Sequence, residues 1–184
     1  MALGPICCPP VKSLLLAIIL AFYANAVSAF DKIQVFFSPQ GGCTEAVVQN
    51  LASARSDVFV QAYSFTSAPI AKALVDAHRR GVKVQVILDK SQRTEKYSSA
   101  DFVLHSGIPT FIDAQHAIAH NKIMIIDGRA VITGSFNFTK AAEEHNAENL
   151  LVINDQELAG KYLVNWKNHV AHSDVYTGRV AKRQ

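Results

Sequence analysis

The chain has 184 residues, 49% of them hydrophobic, with 18 Lys+Arg against 15 Asp+Glu and a formal net charge of +3. That length allows one domain with a full core and excludes two, and so mild a positive bias does not by itself argue for a polyanion partner. No internal repeat or low-complexity tract is present.

Residues 14–24 form an apolar run behind a single charge, Lys12, and the run ends in Val27-Ser28-Ala29, small residues suited to signal peptidase. We read 1–29 as a secretory signal peptide cleaved before Phe30, because the run falls short of the ~20 residues that a membrane span needs. Cys7 and Cys8 leave with it, which makes Cys43 the only cysteine of the domain over 30–184 and excludes an intrachain disulfide. Strands are predicted over 33–37 and 58–62, flanking a helix over 44–54 that gathers Val47, Val48 and Leu51 on one side. A helix over 67–80 has Ser67 as N-cap, Pro69 in its first turn and Gly81 at its stop, and a buried strand over 82–88 follows. Next come a helix over 98–106, a short strand over 110–112 and a β-branched strand over 118–126. A further strand over 147–153 precedes a last helix over 155–172, with Leu158, Tyr162 and the core candidate Trp166 at spacing four. The fold class is α/β, a mixed β-sheet flanked by helices, parallel early and antiparallel late.

The chemistry lies in the late strands. His120-Asn121-Lys122 is followed by the apolar run 123–126, then by Asp127-Gly128 and, after six residues, by Gly134-Ser135-Phe136-Asn137. On a continuous strand His120 and Lys122 share a face, and a buried strand does not ordinarily carry both without a paired anion or a task. Asp127-Gly128 fits a two-residue type I′ turn that pairs Ile126 with Arg129, which sets His120 opposite Ser135 and leaves Asn137 diagonal to it. Asp127 then stands roughly 23 Å along the strand from His120, so its work is expected in its own turn as a backbone acceptor. Gly134 is expected to give a phosphate room beside the backbone. Glu148, at the start of the next strand, is the candidate carboxylate for the imidazole, whereas Glu143 and Glu144 read as solvated surface. Together His120, Lys122, Ser135, Asn137 and Glu148 suit nucleophilic attack on a phosphodiester, with the lysine in place of a metal cation.

The other histidines read blandly. His116 and His120 stand about 13 Å apart on a continuous strand and cannot share an ion. No cluster has metal-ligand spacing, so neither a metal nor another cofactor is expected. His78 closes a helix, His145 sits in a polar loop, and His105, His169 and His172 carry no motif. The loop with Arg93, Lys96 and Tyr97 reads equally as a nucleic-acid contact and as a solvated stretch of mixed charge.

The pattern His120, Lys122, Asp127, Gly134, Ser135, Asn137 resembles the signature of the phospholipase D superfamily. The continuation over 138–149 resembles the small bacterial single-motif endonucleases of the Nuc type. The likeness runs from about residue 33 to the last helix. It implies that His120 is a nucleophile forming a phosphohistidine, that Glu148 supports it, and that the protein is a metal-independent, largely non-specific nuclease working as a homodimer. The chemistry points to a dimer too, since a second imidazole must protonate the leaving group and no other histidine is followed by a lysine at +2. The expected partner is DNA, with RNA as a further candidate. The expected location is the bacterial periplasm, without stable membrane association after cleavage. A phospholipase acting on lipid diesters by the same chemistry is the alternative, and a nucleic-acid-binding protein without turnover is a more distant one.

Overall fold

The computed structural model describes residues 32–179, so the expected signal peptide lies outside the described residues. Eight strands, β1 (Ile33–Ser38), β2 (Asp57–Ala62), β3 (Lys83–Asp89), β4 (Thr110–Asp113), β5 (Lys122–Ile126), β6 (Ala130–Gly134), β7 (Glu148–Asn154) and β8 (Asp174–Val175), form one sheet in the order β1-β7-β6-β5-β2-β3-β4-β8. β2, β3 and β4 are parallel neighbours, and the remaining pairings are antiparallel. The helices are α1 (Cys43–Ser53), α2 (Ala68–Arg79), α3 (Ala100–His105), α4 (Lys140–Glu144) and α5 (Gln156–His172). α2 makes the crossover that two adjacent parallel strands require.

Strand alternation divides the core in two. Val58, Val60, Val86, Met124, Ile126, Ile132 and Val152 face Leu51 of α1 and Leu74 of α2. Phe59, Ile87, Ile123, Ile125 and Val131 face α5. There Trp166 packs 4.8 Å from the Phe59 ring, and its indole N–H donates to the Val60 carbonyl at 2.9 Å, as a core tryptophan should. Cys43, the first residue of α1, is buried in the core on the α1 and α2 side of the sheet, and burial, helped by the charge of Glu143, pushes its thiol up to about 11, which keeps it protonated and unreactive.

The registers bring one set of strand ends together. Ser38 lies opposite Glu148, Ala62 opposite Lys122, and Asp89 beside Asp113. The carboxyl ends of the parallel strands thus meet the starts of β5 and β7 at one edge, where open α/β sheets place their ligands.

Three sequence expectations need correction. The strand predicted over 118–126 begins only at Lys122, because the Ala119 N–H is taken by the buried Asp89 carboxylate at 2.7 Å instead of by a ladder partner. The type I′ turn does form, with φ of 53° at Asp127 and 58° at Gly128, and the Arg129 N–H donates to the Ile126 carbonyl at 3.0 Å. However, the ladder pairs Ile126 with Ala130 and leaves Arg129 outside it, so His120 is not set opposite Ser135. Glu143, expected in solvent, accepts from the N–H groups of Gly42 at 3.2 Å and Thr44 at 2.6 Å, where its charge suits the start of α1.

Asp127 also acts outside its own turn. Its carboxylate accepts from the backbone N–H groups of Ser56 at 2.7 Å, Arg55 at 3.1 Å and Asp57 at 3.2 Å, and from the Ser56 hydroxyl at 3.0 Å. Partial burial opposes its charge, yet these donors outweigh burial and hold the carboxyl below its ordinary value. A depressed folded-state value means that the contribution is complete above the unfolded value, near ~3.9, and disappears as pH falls through the folded one. Asp127→Ala should therefore cost about 2 kcal/mol in urea unfolding at pH 7, and the gap from wild type should shrink below about pH 3. Asp127→Asn, which tolerates the left-handed backbone, should lose less at pH 7.

Candidate active site

His120 is exposed on the irregular segment just before β5, and Lys122, the first residue of that strand, is buried. Tyr63 joins them. Its peptide N–H donates to the Asn121 carbonyl at 2.8 Å, extending the β2–β5 ladder by one step. Its ring lies 4.6 Å from the His120 ring, and the Lys122 ammonium sits 5.0 Å over the same ring. Lys122 Nζ also donates to the His120 carbonyl at 2.6 Å. Burial lowers the Lys122 pKa, and the negative charge of Glu148 partly restores it. Sequence reasoning missed Tyr63, although a tyrosine directly after a parallel strand was the available signal.

Ser135 and Asn137 follow β6 through a β-bulge. The N–H groups of Ser135 and Phe136 both donate to the Asn149 carbonyl at 3.1 Å, two residues against one. The bulge lets Phe136 and Phe138 bury while Ser135 and Asn137 stay nearer the surface. Ser135 Oγ accepts from the Asn149 N–H at 3.1 Å, which leaves the hydroxyl hydrogen available to a ligand. Asn137 Oδ1 is buried without a hydrogen-bond partner among the described residues. Gly134 has a different task from the one expected. At its φ of 148° a Cβ would stand 2.3 Å from the Asn149 carbonyl oxygen, so the glycine makes room for β7 and not for a phosphate.

Glu148 accepts from the Asn146 side-chain amide at 3.1 Å, and the Asn146 carbonyl accepts from the Ser38 hydroxyl at 2.9 Å. Inside the site it acts on Lys122 through charge; among the described residues no hydrogen bond joins it to His120. The structure thus brings His120 and Lys122 together around Tyr63, places Glu148 within electrostatic reach, and holds Ser135 and Asn137 on the bulge at the same edge. Asp127 and Gly128 serve the far end of the hairpin. Of the uncertain loop, Arg93 is ion-paired to Asp174, while Tyr97 stays exposed beside Lys96.

A second polar cluster went unseen in the sequence. Asp113, fully buried, meets His169 Nδ1 at 2.8 Å and His116 Nδ1 at 3.0 Å, with His172 Nε2 at 3.5 Å. Burial opposes the charge on Asp113, but the His169 and His116 contacts overcome it and hold the carboxyl well below the usual carboxylate range.

Residues 47–170 match the family model of the cardiolipin synthase, PLD-like domain. The chain belongs to the phospholipase D superfamily. It is accordingly a phosphodiesterase. A protein of Rickettsia conorii named phospholipase D is 45% identical over 141 residues, covering 77% of this chain and 70% of that one. Among solved structures, the phospholipase D family member Nuc from Salmonella typhimurium superposes with a TM-score of 0.76 at 40% identity, over 80% of this chain and 98% of that one. NucT from Helicobacter pylori gives 0.73 at 27% identity, over 79% and 99%.

The coupling between Lys122 and Glu148 can be read without any substrate. Since the carboxylate raises the Lys122 pKa against burial, Glu148→Gln should lower it further. A side-chain NMR titration of labelled lysine should show the Lys122 signal moving at lower pH in the variant, and an unchanged midpoint would show that the two groups do not interact.

Proposed function

We propose that this phosphodiesterase is a largely non-specific endonuclease that works without a metal at the reacting phosphate, as a homodimer secreted to the bacterial periplasm, with DNA as substrate and RNA as a further one. The observation that carries this reading is the likeness to Nuc, which this chain matches over 98% of its length. The proposed export rests on the apolar run and small residues before Phe30. No helix of the described residues is long and apolar enough to cross a membrane.

In the proposed mechanism neutral His120 attacks phosphorus and the P–O bond to the leaving alkoxide breaks, giving a phosphohistidine. Lys122 balances the charge growing on the non-bridging oxygens, and Ser135 and Asn137 donate to them. Burial makes that lysine effective, since its attraction to the phosphorane is less screened than at the surface. Glu148 steadies the positive charge that the pair accumulates. The alkoxide takes its proton from His120 of a second copy, which then removes a proton from the water that splits the P–N bond. The proposed second copy would find unpaired apolar surface on the edge strand, where Ile33, Val35 and Phe37 are 57%, 52% and 63% exposed on alternate positions of β1. The row ends at Phe37, next to the Ser38–Glu148 pair of the site edge.

A lipid diester is the second reading, favoured by the Rickettsia relatives named phospholipase D. Cleavage of plasmid DNA and of labelled phospholipid, each assayed in excess EDTA, separates the readings. DNA should be cut and lipid left intact. Loss of DNA cleavage in EDTA that Mg²⁺ restores would refute the mechanism, because a hard cation needs oxygen ligands at the phosphate. His120→Ala should lower turnover by more than about 10⁴-fold with the fold intact.

Subunit exchange tests the shared site. When wild-type and His120→Ala chains are mixed equally and exchange is verified with mass-tagged subunits, activity per total protein should fall to about one quarter of the wild-type value. Retention of about one half would mean that each chain carries a complete site.

A further inference from the structure

We propose that Asp113, His116, His169 and His172 form a zinc site, separate from the phosphodiester chemistry, that locks the segment leading to His120 onto the end of helix α5. The four residues come from two distant stretches. Asp113 ends β4 and His116 follows three residues later, while His169 and His172 stand three apart in the last turn of α5 and so share a face.

The geometry is that of a ligand set. One atom from each residue can be chosen so that all four lie within 4.8 Å of one another, and without an ion two of them meet Asp113 Oδ2 at hydrogen-bond distances of 2.8 and 3.0 Å. Zinc holds imidazole nitrogen and carboxylate oxygen at about 2.0–2.2 Å, which in a tetrahedron spaces ligand atoms roughly 3.3–3.5 Å apart. Closing the cluster around an ion therefore needs shifts of the ligand atoms of about an ångström. The three rings are nearly equidistant, with centroids 5.0, 5.2 and 5.3 Å apart.

The cluster is poorly satisfied by protons alone. His172 Nε2 is buried, and its nearest acceptor among the described residues, Asp113 Oδ2, lies 3.5 Å away without forming a proper hydrogen bond, which is a costly state for a ring nitrogen. Full protonation would set three imidazolium rings around one carboxylate, and full neutrality leaves His169 and His172 both directed at Asp113 Oδ2, with His116 shared between the two oxygens at 3.0 Å each. A divalent cation resolves both problems by accepting a lone pair from each residue. Three imidazoles and one carboxylate favour zinc over magnesium or calcium, which prefer oxygen ligands. Four protein ligands close the coordination sphere, the pattern of a structural site and not of a catalytic one.

Its surroundings indicate what it would secure. The other Asp113 oxygen accepts from the Gln115 N–H at 3.2 Å, and the His116 carbonyl accepts from Lys90 Nζ at 3.0 Å. Together with the Asp89 contact to the Ala119 N–H, the ion would fix the segment between β4 and His120 at two points.

The test uses the full chain, expressed without an affinity tag and freed of metal by dialysis, with Zn²⁺ itself as the probe. Calorimetry should show one Zn²⁺ bound per chain with sub-micromolar affinity, and zinc should raise the Tm by several degrees. His172→Gln and His116→Gln should each weaken binding by more than about tenfold, the loss that even outer-shell changes produce. His116 is 46% exposed on a loop, so its variant keeps the test decisive if the α5 variant fails to fold. His120→Ala and His145→Ala should bind zinc like the parent. Weak or absent binding by the parent, parent-like binding by the His116 and His172 variants, or loss in His120→Ala would each overturn the proposal, the first leaving an ion-free histidine–carboxylate cluster and the last moving the ion to His120.

Discussion

Lys122 carries its ammonium inside the protein, and much of the surrounding architecture compensates for that placement. A buried cation is penalised unless negative potential surrounds it, and three sources converge here: the His120 carbonyl, the face of the Tyr63 ring and the charge of Glu148. Each comes from a different part of the chain. The carbonyl requires that the segment before β5 turn out of the sheet, the ring requires β2 to run one step past Ala62, and the glutamate requires β7 to start at the same edge. The antiparallel insertion of β5 beside the parallel β2 is what makes the three coincide.

That convergence explains which parts of the protein were legible in the sequence. Most of the strands, though not β8, and the helices over 67–80 and 155–172 were readable because periodicity, caps and stop signals are local. His120 and Lys122 do come together, although not as neighbours on one strand face: His120 lies before β5, and Lys122 meets its carbonyl and the Tyr63 ring. What failed depended on partners far away. Nothing near Ala119 shows that Asp89, thirty residues earlier, takes its N–H and ends the strand. Nothing near Glu143 shows that the start of α1 needs a carboxylate, and Gly134 reads as an open position until β7 is laid against it.

The histidines illustrate the same limit. The spacing argument that separated His116 from His120 was sound and also misleading, because it searched for a partner along one strand. The partners lie on a helix more than fifty residues later, and β8, pairing with β4 directly after α5, helps bring that helix end to Asp113. A spacing rule detects ligand sets built on one element, whereas this set spans an element boundary on both sides.

Asp127 has an implication for how self-contained the motif is. The hairpin of β5 and β6 looks like a portable cassette, with its histidine and lysine at one end and a tight turn at the other. Yet the turn's carboxylate is bonded to the backbone of Arg55, Ser56 and Asp57, about seventy residues away in the chain. The end of the hairpin remote from chemistry is therefore bolted to the entry of β2, the same strand whose exit delivers Tyr63. Transplanting the hairpin alone into another sheet would carry His120 and Lys122 but lose both ends of the rail that aligns them; the smallest unit worth grafting is the hairpin with the whole of β2 and the bend before it.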